Sequence, residues 1–443
     1  MRRILIAAAA TMAASAPVQA NELARVYDMA LTNDTQLRAA QHAYDAAAEA
    51  RPQAQGALLP NFGAQASIGK IDQTSRFSGT GNIPPQVTDT TTDSWGVQVT
   101  LPVYDHSLWV RLSQSKDRIA AAQATLSAAQ QSLALRVTQA YFNVLGATDS
   151  LRFAKAEHKA VGRQLEQAQK RFEVGLSAIT DVHEAQARYD LTVSQMLDAE
   201  QQLRNAKDAL VEITGGAIEA TAPLREDIPL VGPSPASVQE WIDTANTANL
   251  DLLAASINAN IAKKDVRANR AAHFPTLNLV GQYGEGSQGS NQPGISEIEN
   301  ESQTITLTLN VPIYSGGITQ SRVRQARSTH EQRLAELEGT RRSIERQVRN
   351  AFQGVETGVA RVKALKQAVV SNTTALEASE TGLKVGARTA VDVLNAQREL
   401  YRAQRDYARA RYDYLISVLQ LKQAAGQLTE ADLLQIDKLL VAR

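Results

Sequence analysis

An internal repeat with an offset of 211 residues is the feature that most constrains how this chain folds. Val174–Val182 and Val385–Val393 both read Val-Gly, five variable residues and Asp-Val. The same offset relates Gly215 to Gly426, so the match covers far more than one turn. A match of this extent indicates a duplication, and the two halves are therefore predicted to fold alike.

Proline positions separate the helical parts of each half from the rest. No proline occurs between Pro102 and Pro223 or after Pro312, and these stretches are rich in Ala, Gln, Leu, Arg and Glu, which favour helices. The run from about Asp105 to Val174 predicts a helix of roughly 105 Å, at about 1.5 Å per residue. Apolar positions at intervals of seven and four residues favour antiparallel coiled coils, although a soluble helical bundle fits this part equally well.

Gly175 and Gly386 interrupt the two helical stretches. Glycine suits the left-handed residue that ends a helix, and the Thr and Asp residues that follow suit the start of another helix. Each Val-Gly motif is therefore predicted to be the tip of a helical hairpin.

Four tracts in the proline-containing segments alternate apolar and polar residues, as β-strands do between two environments. They are residues 62–68, 95–104, 277–283 and 305–313. Their length matches the roughly 9 to 11 residues that a tilted strand needs to cross a bilayer, although a soluble sheet would alternate in the same way. The connectors 70–92 and 285–301 are rich in Gly, Ser, Thr, Asn and Asp, which favours long extracellular loops and a membrane barrel.

Four strands cannot close a barrel by themselves. An open edge in lipid would leave backbone N–H and C=O groups without partners, at a cost of several kcal/mol each. A barrel with an aqueous passage needs more than about 8 strands, which three copies of a four-stranded subunit supply. The predicted assembly is therefore a homotrimer with 12 strands.

The first 20 residues have the pattern of a signal peptide. Arg2 and Arg3 precede an apolar run from Ile4 to Ala14, and Val18-Gln19-Ala20 has the small residues of a signal-peptidase site. No later apolar stretch approaches the about 20 residues of a membrane-spanning helix, so strands must cross any membrane that the mature chain spans. With 0 cysteines, we expect neither disulfides nor a lipid-anchored amino-terminal Cys.

Charge balance and histidine spacing argue against several other functions. Lys+Arg and Asp+Glu both total 46, so the chain lacks the basic excess of a nucleic-acid-binding protein. The 6 histidines show no zinc-binding spacing, and the sequence contains neither a phosphate-binding loop nor a nucleophile elbow. We therefore expect no enzymatic activity, no metal and no cofactor. A periplasmic adaptor or a structural coiled-coil protein is the alternative, but adaptors carry one helical hairpin and this chain has two.

Short motifs around the strands and tips resemble a known family. Leu59-Pro60 and Phe274-Pro275 precede the first and third strands, and Leu101–Tyr104 and Val311–Gly317 end the second and fourth. With the two Val-Gly tips, this order resembles the TolC family of outer-membrane export channels, of the non-lipidated type. The resemblance implies a mostly α fold with a transmembrane β part, in which a trimer forms a 12-stranded barrel and a helical periplasmic tunnel.

The same resemblance implies the function, the partners and the limits of the segments. Such a channel is the exit duct of a tripartite system for type I secretion or multidrug efflux, with outer-membrane lipid around its barrel. Its partners are a periplasmic adaptor and an inner-membrane transporter of the ABC, RND or MFS type. The expected segments are a signal peptide 1–20, a first repeat 21–215, a linker and equatorial segment 216–240, a second repeat 241–426 and a carboxyl-terminal equatorial tail 427–443.

The resemblance further implies that residues at the periplasmic tips close the tunnel. Asp181 matches an acid that receives a tethering arginine, and Arg388 matches that arginine, so the two are expected to latch the tip. Asp392 matches an acid that lines the narrowest part of the closed tunnel, and Asn395 stands one turn further on, where a second acid is common. Leu383 replaces a tyrosine that often hydrogen-bonds the latch acid, so fewer tethers and easier opening are expected.

The tips are also expected to contact the adaptor. The docking residues that the resemblance implies are Val174, Gly175, Leu176, Val385 and Gly386. A purely structural explanation stays open for these positions, because both glycines are needed for the turns whatever binds there. Thr389 to Asp392 has the form of a capping box, and Asp181 near a helix start favours the helix dipole.

Overall fold

The computed structural model describes residues 22–76, 84–218, 221–289 and 296–441, so the predicted signal peptide lies outside the described residues. In chain order, the elements are α1 Glu22–Asn33, α2 Thr35–Ala48, α3 Ala50–Gly56, β1 Asn61–Ser75, β2 Gln86–Tyr104, α4 His106–Glu173, α5 Ile179–Thr214, α6 Val238–Ala248, α7 Leu250–Ala271, β3 Thr276–Gly289, β4 Glu297–Asn310, α8 Ile318–Lys384, α9 Ala390–Ala424 and α10 Glu430–Asp437.

Two long helical hairpins follow the sequence repeat. The first pairs α4, of 68 residues, with α5, of 36, and the second pairs α8, of 67 residues, with α9, of 35. The ends of α4 and α8, and the starts of α5 and α9, are each separated by the same offset of 211 residues. The predicted long helix from about Asp105 to Val174 is confirmed. No helix of the described ranges is long and apolar enough to cross a membrane.

The four strands form one antiparallel sheet in the order β1-β2-β3-β4. Phe62 is paired with Val99, Val99 with Gly281, and Gly281 with Ile305, so the predicted alternating tracts lie side by side in register. The register shifts once between β2 and β3, at Pro102, because proline has no N–H to donate to the ladder. The predicted combination of long helices and four strands is confirmed.

The predicted extents of the two connectors are wrong. We expected loops at 70–92 and 285–301, but β1 continues to Ser75, β2 begins at Gln86, β3 continues to Gly289 and β4 begins at Glu297. The polar residues between the apolar tracts pair with one another across the strands, as Lys70 does with Thr91, so the backbone ladder continues beyond the apolar part. The remaining centres, 77–83 and 290–295, lie outside the described residues.

The chain divides into two compact units. The described part of one unit comprises 22–40, 127–218, 221–250 and 342–441, and its core contains fully buried aromatic side chains at Tyr141, Phe142 and Tyr412. In this unit, the backbone N–H of Ala222 donates to the Tyr141 hydroxyl at 2.8 Å, and Leu224 forms a β-bridge with Leu440. The linker and the carboxyl-terminal tail therefore lie together, while their role as an equatorial belt stays a prediction.

The described part of the other unit comprises 41–76, 84–126, 251–289 and 296–341. It contains the complete sheet, together with the helical turns that directly precede or follow each strand. The helices of this unit are joined by polar contacts between α4 and α7, such as the ion pair of Lys264 and Asp117 at 2.8 Å.

Candidate functional site at the helix tips

Both hairpin tips end their first helix in the same way. Gly175 and Gly386 have φ angles of 74° and 77°, in the left-handed region that a side chain disfavours. In both tips, the N–H of the residue after the glycine donates to the carbonyl oxygen five residues earlier, at 2.7 and 2.8 Å. This hydrogen bond is the Schellman arrangement that satisfies free carbonyls at a helix end. The predicted hairpin tips are confirmed.

The second helix of each hairpin begins differently in the two tips. In the second tip, Thr389 is the N-cap of α9: its hydroxyl accepts from the N–H of Asp392 at 3.2 Å, and its own N–H donates to the Asp392 carboxylate at 2.9 Å. The predicted capping box is confirmed. In the first tip, Ala178 has no side chain that can cap α5, and the carboxylate of Asp181 has no hydrogen-bonding or ion-pair partner among the described residues.

The two tips meet around a cavity of about 190 Å³. Asp181 and Arg388 both line this cavity, and so do Leu383 and Gly386. Leu176 is on its wall as well. The structure therefore brings both predicted latch residues together with the position where a tyrosine was expected. The predicted constriction residues, Asp392 and Asn395, are not part of this wall: they lie in the first and second turns of α9.

A comparison of the two tips reveals an exchange of side chains that the sequence prediction missed. The offset of 211 aligns Arg171 with Gly382 and Ser177 with Arg388, so each tip has one arginine but at a different position. A Cβ added to Gly382 would lie 2.6 Å from Cγ of Arg388, so the stem of Arg388 packs directly on this glycine. Both arginines line the cavity beside Asp181. The aligned repeats contain the information needed to find this exchange. Positions at which the two tips differ indicate residues whose roles differ between the tips.

Asp392 is held in its ionised form by the helix start. Hydrogen bonds from the backbone and the hydroxyl of Thr389, together with the nearby charge of Arg388, hold the pKa of the Asp392 carboxyl below its usual value. Because the pKa in the folded state is lowered, stabilisation by this carboxylate is complete above its ordinary pKa of 3.8 and is lost as the pH falls through the lowered pKa. Asn395 is exposed on the next turn and adds no charge.

Replacing Thr389 with valine tests how the cap tunes Asp392. The variant keeps the backbone N–H, which is the strongest cause of the lowered pKa, and removes only the hydroxyl. We expect the pKa of Asp392 to move partway back toward 3.8, so that any cation preference due to this carboxylate disappears at a higher pH than in the native channel. Reversal potentials measured across a pH series check this, and identical pH profiles for native and T389V channels would contradict it.

Apolar side chains are exposed at both tips. Val174 and Leu176 are 69% and 70% exposed, and Val385 is 74% exposed. Large apolar side chains at this level of exposure suit a surface that another protein covers.

The two faces of the sheet differ completely in charge. One face carries most of the apolar side chains of the four strands, and beyond them every charged residue of the strands. These charged residues are Lys70, Asp72, Asp89, Asp93, Glu285, Glu297, Glu299 and Glu301. The opposite face of the four described strands carries Gln, Asn, Ser, Thr, Gly and a few aliphatic residues, and no charged side chain.

Comparison with known proteins decides the family. The family described as "Outer membrane efflux protein" matches residues 26–216 and 241–427, which together are most of the chain. The chain belongs to this family. The outer membrane protein TolC of Vibrio cholerae is 39% identical over 436 residues, which is 98% of this chain and 97% of that protein. The alkaline protease secretion protein AprF of Pseudomonas aeruginosa is 30% identical, over 92% of this chain and 85% of its own.

A solved structure shows the same fold. The outer membrane protein VceC of Vibrio cholerae superposes with a TM-score of 0.75 at 19% identity, covering 91% of this chain and 96% of that one. Channels of this family are trimers, so three copies of the sheet supply a 12-stranded barrel. The protein is located in the outer membrane and serves as an exit duct for secretion or efflux, together with adaptor and inner-membrane transporter proteins. The apolar face of the sheet therefore meets lipid, and the uncharged polar face lines the duct.

Proposed function

We propose that this exit duct is closed at its helix tips by Arg388 engaging Asp181, and that its role is transport and not catalysis. The observation that carries the proposal is the shared cavity of about 190 Å³, whose wall includes both residues. Asp181 is free to accept an arginine because, unlike Asp392, no capping threonine occupies its carboxylate.

The position of Arg388 suits a latch that a partner can release. Its stem packs on Gly382, and Arg388 is an exposed residue on a turn outside the helix. A bidentate arginine–carboxylate pair fixes geometry, but at an exposed site it contributes only about 0 to 1 kcal/mol. Binding of an adaptor at the tips can therefore supply enough free energy to separate the pair.

Single-channel conductance of the purified trimer in planar bilayers tests this gate. We expect small openings in the native protein and larger, longer ones in the Arg388→Ser variant under the same salt. Arg398→Ser is a matched control, because Arg398 is also an exposed arginine near the start of this hairpin's second helix but pairs with its neighbour Glu399 at 3.0 Å. Equal conductance of native and Arg388→Ser channels would remove Arg388 from the gate, while leaving the channel itself established.

Leu383→Tyr is expected to close the gate further. Leu383 lines the same cavity as Asp181, so a phenol at this position can donate its hydroxyl to the unpartnered carboxylate. We expect a lower open probability than in the native channel. The matched variant Leu383→Phe separates the hydroxyl from ring volume, and a variant with tyrosine that opens as often as the native channel would contradict the expected tether.

We further propose that the exposed tip residues Val174, Leu176 and Val385 dock the periplasmic adaptor. These residues are the chain neighbours of the two left-handed glycines, where the absence of a Cβ allows close approach of another backbone. Val174→Asp together with Val385→Asp is expected to abolish co-purification of the cognate adaptor and to leave the conductance of the isolated channel unchanged. Retention of the adaptor by this variant would contradict the docking surface.

The uncharged duct wall is consistent with a barrel that does not select exported molecules by their charge. The sheet face that lines the barrel has no charged residue in the described strands, so it offers neither a cation filter nor an anion filter. We propose that any charge preference of this channel arises at Asp392, in the helical part, and not in the barrel.

A further inference from the structure

An exposed basic surface lies next to the sheet, on helices α4 and α7. It consists of Lys116, Lys263, Arg267 and Arg270, and we refer to these four residues as the basic face. Lys263, Arg267 and Arg270 are spaced by four and three residues, so they share one side of α7. All four are exposed, and none forms an ion pair within the described parts of the chain.

Contacts between α4 and α7 place Lys116 on the same side as the α7 residues. Nζ of Lys264 lies 2.8 Å from the Asp117 carboxylate and donates to the carbonyl of Ser113 at 3.1 Å, and Asn260 donates to Asp117 at 2.9 Å. Asp117 is adjacent to Lys116, and Lys264 is adjacent to Lys263. We call the contact between α4 and α7 the seam. On this side of the seam, one acid, Asp117, accompanies the four cations of the basic face and Lys264, which leaves a strong net positive charge.

Trp109 identifies this side as the one that faces the membrane. It lies in the first turn of α4, only five residues after the end of β2, and its side chain is 54% exposed. Seven residues separate Trp109 from Lys116, which puts both on one side of α4. Tryptophan collects at the boundary between the hydrocarbon and water, where its ring is half apolar and half polar.

The other side of the same seam has a different character. Gln114 is buried there, and its amide donates to Asp265 at 2.7 Å and to the carbonyl of Ile261 at 3.1 Å. Around it lies a cavity of about 400 Å³, whose wall includes Arg111 and Arg118. Among the described residues of this side there is no exposed tryptophan, so Arg111 and Arg118 lie at the same depth as the basic face but without the tryptophan that indicates contact with lipid.

The far end of the lipid-facing sheet surface has the opposite charge. Beyond the apolar residues, the described strands carry seven acids on that surface, such as Asp93 and Glu301, and one lysine, Lys70. The basic face instead adjoins the near end, because Arg270 lies six residues before the start of β3. The charge along the membrane-facing surface therefore changes from acidic at the extracellular end to basic at the periplasmic end.

We propose that the basic face binds the headgroups of anionic phospholipids in the periplasmic leaflet of the outer membrane. Phosphodiester groups at this depth meet Arg267 and Arg270, while their acyl chains lie along the apolar face of the sheet. Clustered basic residues beside a membrane-spanning segment attract anionic lipid, and the attraction falls off within a Debye length. The acidic far end repels the same lipids, so the preference belongs to one leaflet.

Lipid selectivity of the reconstituted trimer tests this proposal. The full-length channel is placed in phosphatidylcholine bilayers with a trace of spin-labelled phosphatidylglycerol or spin-labelled phosphatidylcholine, and the motionally restricted fraction of each is measured. We expect the native trimer to restrict more phosphatidylglycerol than phosphatidylcholine. The variant with Lys263→Gln, Arg267→Gln and Arg270→Gln is expected to lose this preference, as is the native trimer at about 1 M salt, where the Debye length is about 3 Å.

A matched control and a second measurement make the result decisive. Arg111→Gln with Arg118→Gln removes arginines at the same height from the cavity side, and it is expected to keep the preference. Quenching of Trp109 fluorescence, taken as the difference between native and Trp109→Phe proteins, should be stronger with brominated phosphatidylglycerol than with brominated phosphatidylcholine. Equal restriction and equal quenching of both lipids by the native trimer would overturn the proposal, as would loss of preference only in the cavity-side variant.

Discussion

Replacing Glu157 with glutamine is expected to destabilise the channel by about 3 to 5 kcal/mol, because it removes the shared partner of two arginines. Glu157 on α4 is 1% exposed, and its carboxylate accepts from Arg188 of α5 at 3.0 Å and from Arg405 of α9 at 3.1 Å. The side chains of these arginines are only 15% and 30% exposed. Since the amide that replaces the carboxylate has no charge, both guanidinium groups are left in a partly dry site without compensation.

The measurement is the temperature at which purified trimers lose their helical circular dichroism signal, compared between native and variant channels. Glu166→Gln is the control, because Glu166 lies on the same helix and pairs with Lys170 at 2.6 Å, but its side chain is 62% exposed. Exposed ion pairs contribute little to the free energy of unfolding. The transition temperature of Glu166→Gln should therefore stay near that of the native channel. Equal decreases in the transition temperature of Glu157→Gln and Glu166→Gln would show that the buried carboxylate stabilises the channel no more than an exposed one.

A triple replacement separates the cost of broken pairing from the value of the ion triad. With Glu157, Arg188 and Arg405 all replaced by leucine, no buried charge is left without a partner. Apolar replacement of a whole buried ion cluster is often neutral or stabilising. We therefore expect the triple variant to recover much of the stability that Glu157→Gln loses. The triad would then serve mainly to fix how α9 packs against the first hairpin.

The sequence predicted those features that depend on local chemistry. Gly175 and Gly386 were identified as helix ends because few other residues adopt a left-handed backbone, and both have a positive φ. Thr389 and Asp392 were identified as a capping box because the two side chains that form it are three residues apart. The internal repeat and the proline-free stretches likewise predicted the two long helical hairpins.

The features that sequence reasoning missed depend on residues far apart in the chain. Glu157 meets Arg405 across 248 positions, and nothing in the local pattern of either helix indicates this pairing. The strands extended past their apolar tracts for a related reason: Asp72 and Asp89 are poor indicators of a strand alone, but each completes the backbone ladder of the other. Pairing supplies a stabilisation that composition does not reveal.

Replacing Gly382 with alanine is expected to open the gate while strengthening the helix that contains it. Alanine is favoured over glycine in a helix by roughly 0.5 to 1 kcal/mol, and Gly382 lies within the last turn of α8. Its new Cβ would lie 2.6 Å from Cγ and 3.2 Å from Cβ of Arg388. Because those atoms belong to the base of the side chain, Arg388 cannot yield by rotating its far end alone, and the turn that carries it must shift.

We therefore expect the Gly382→Ala channel to conduct as Arg388→Ser does, although no charge has been removed. Gly354→Ala is the matched control, since it lies in the same helix and an added Cβ there would be 3.6 Å from its nearest neighbour, an ordinary contact. Gly354→Ala should stabilise helix α8 by the same amount and leave the conductance at the native value. If Gly382→Ala conducts as the native channel does, then Arg388 works from more than one position, and the packing of its stem on Gly382 does not set the gate.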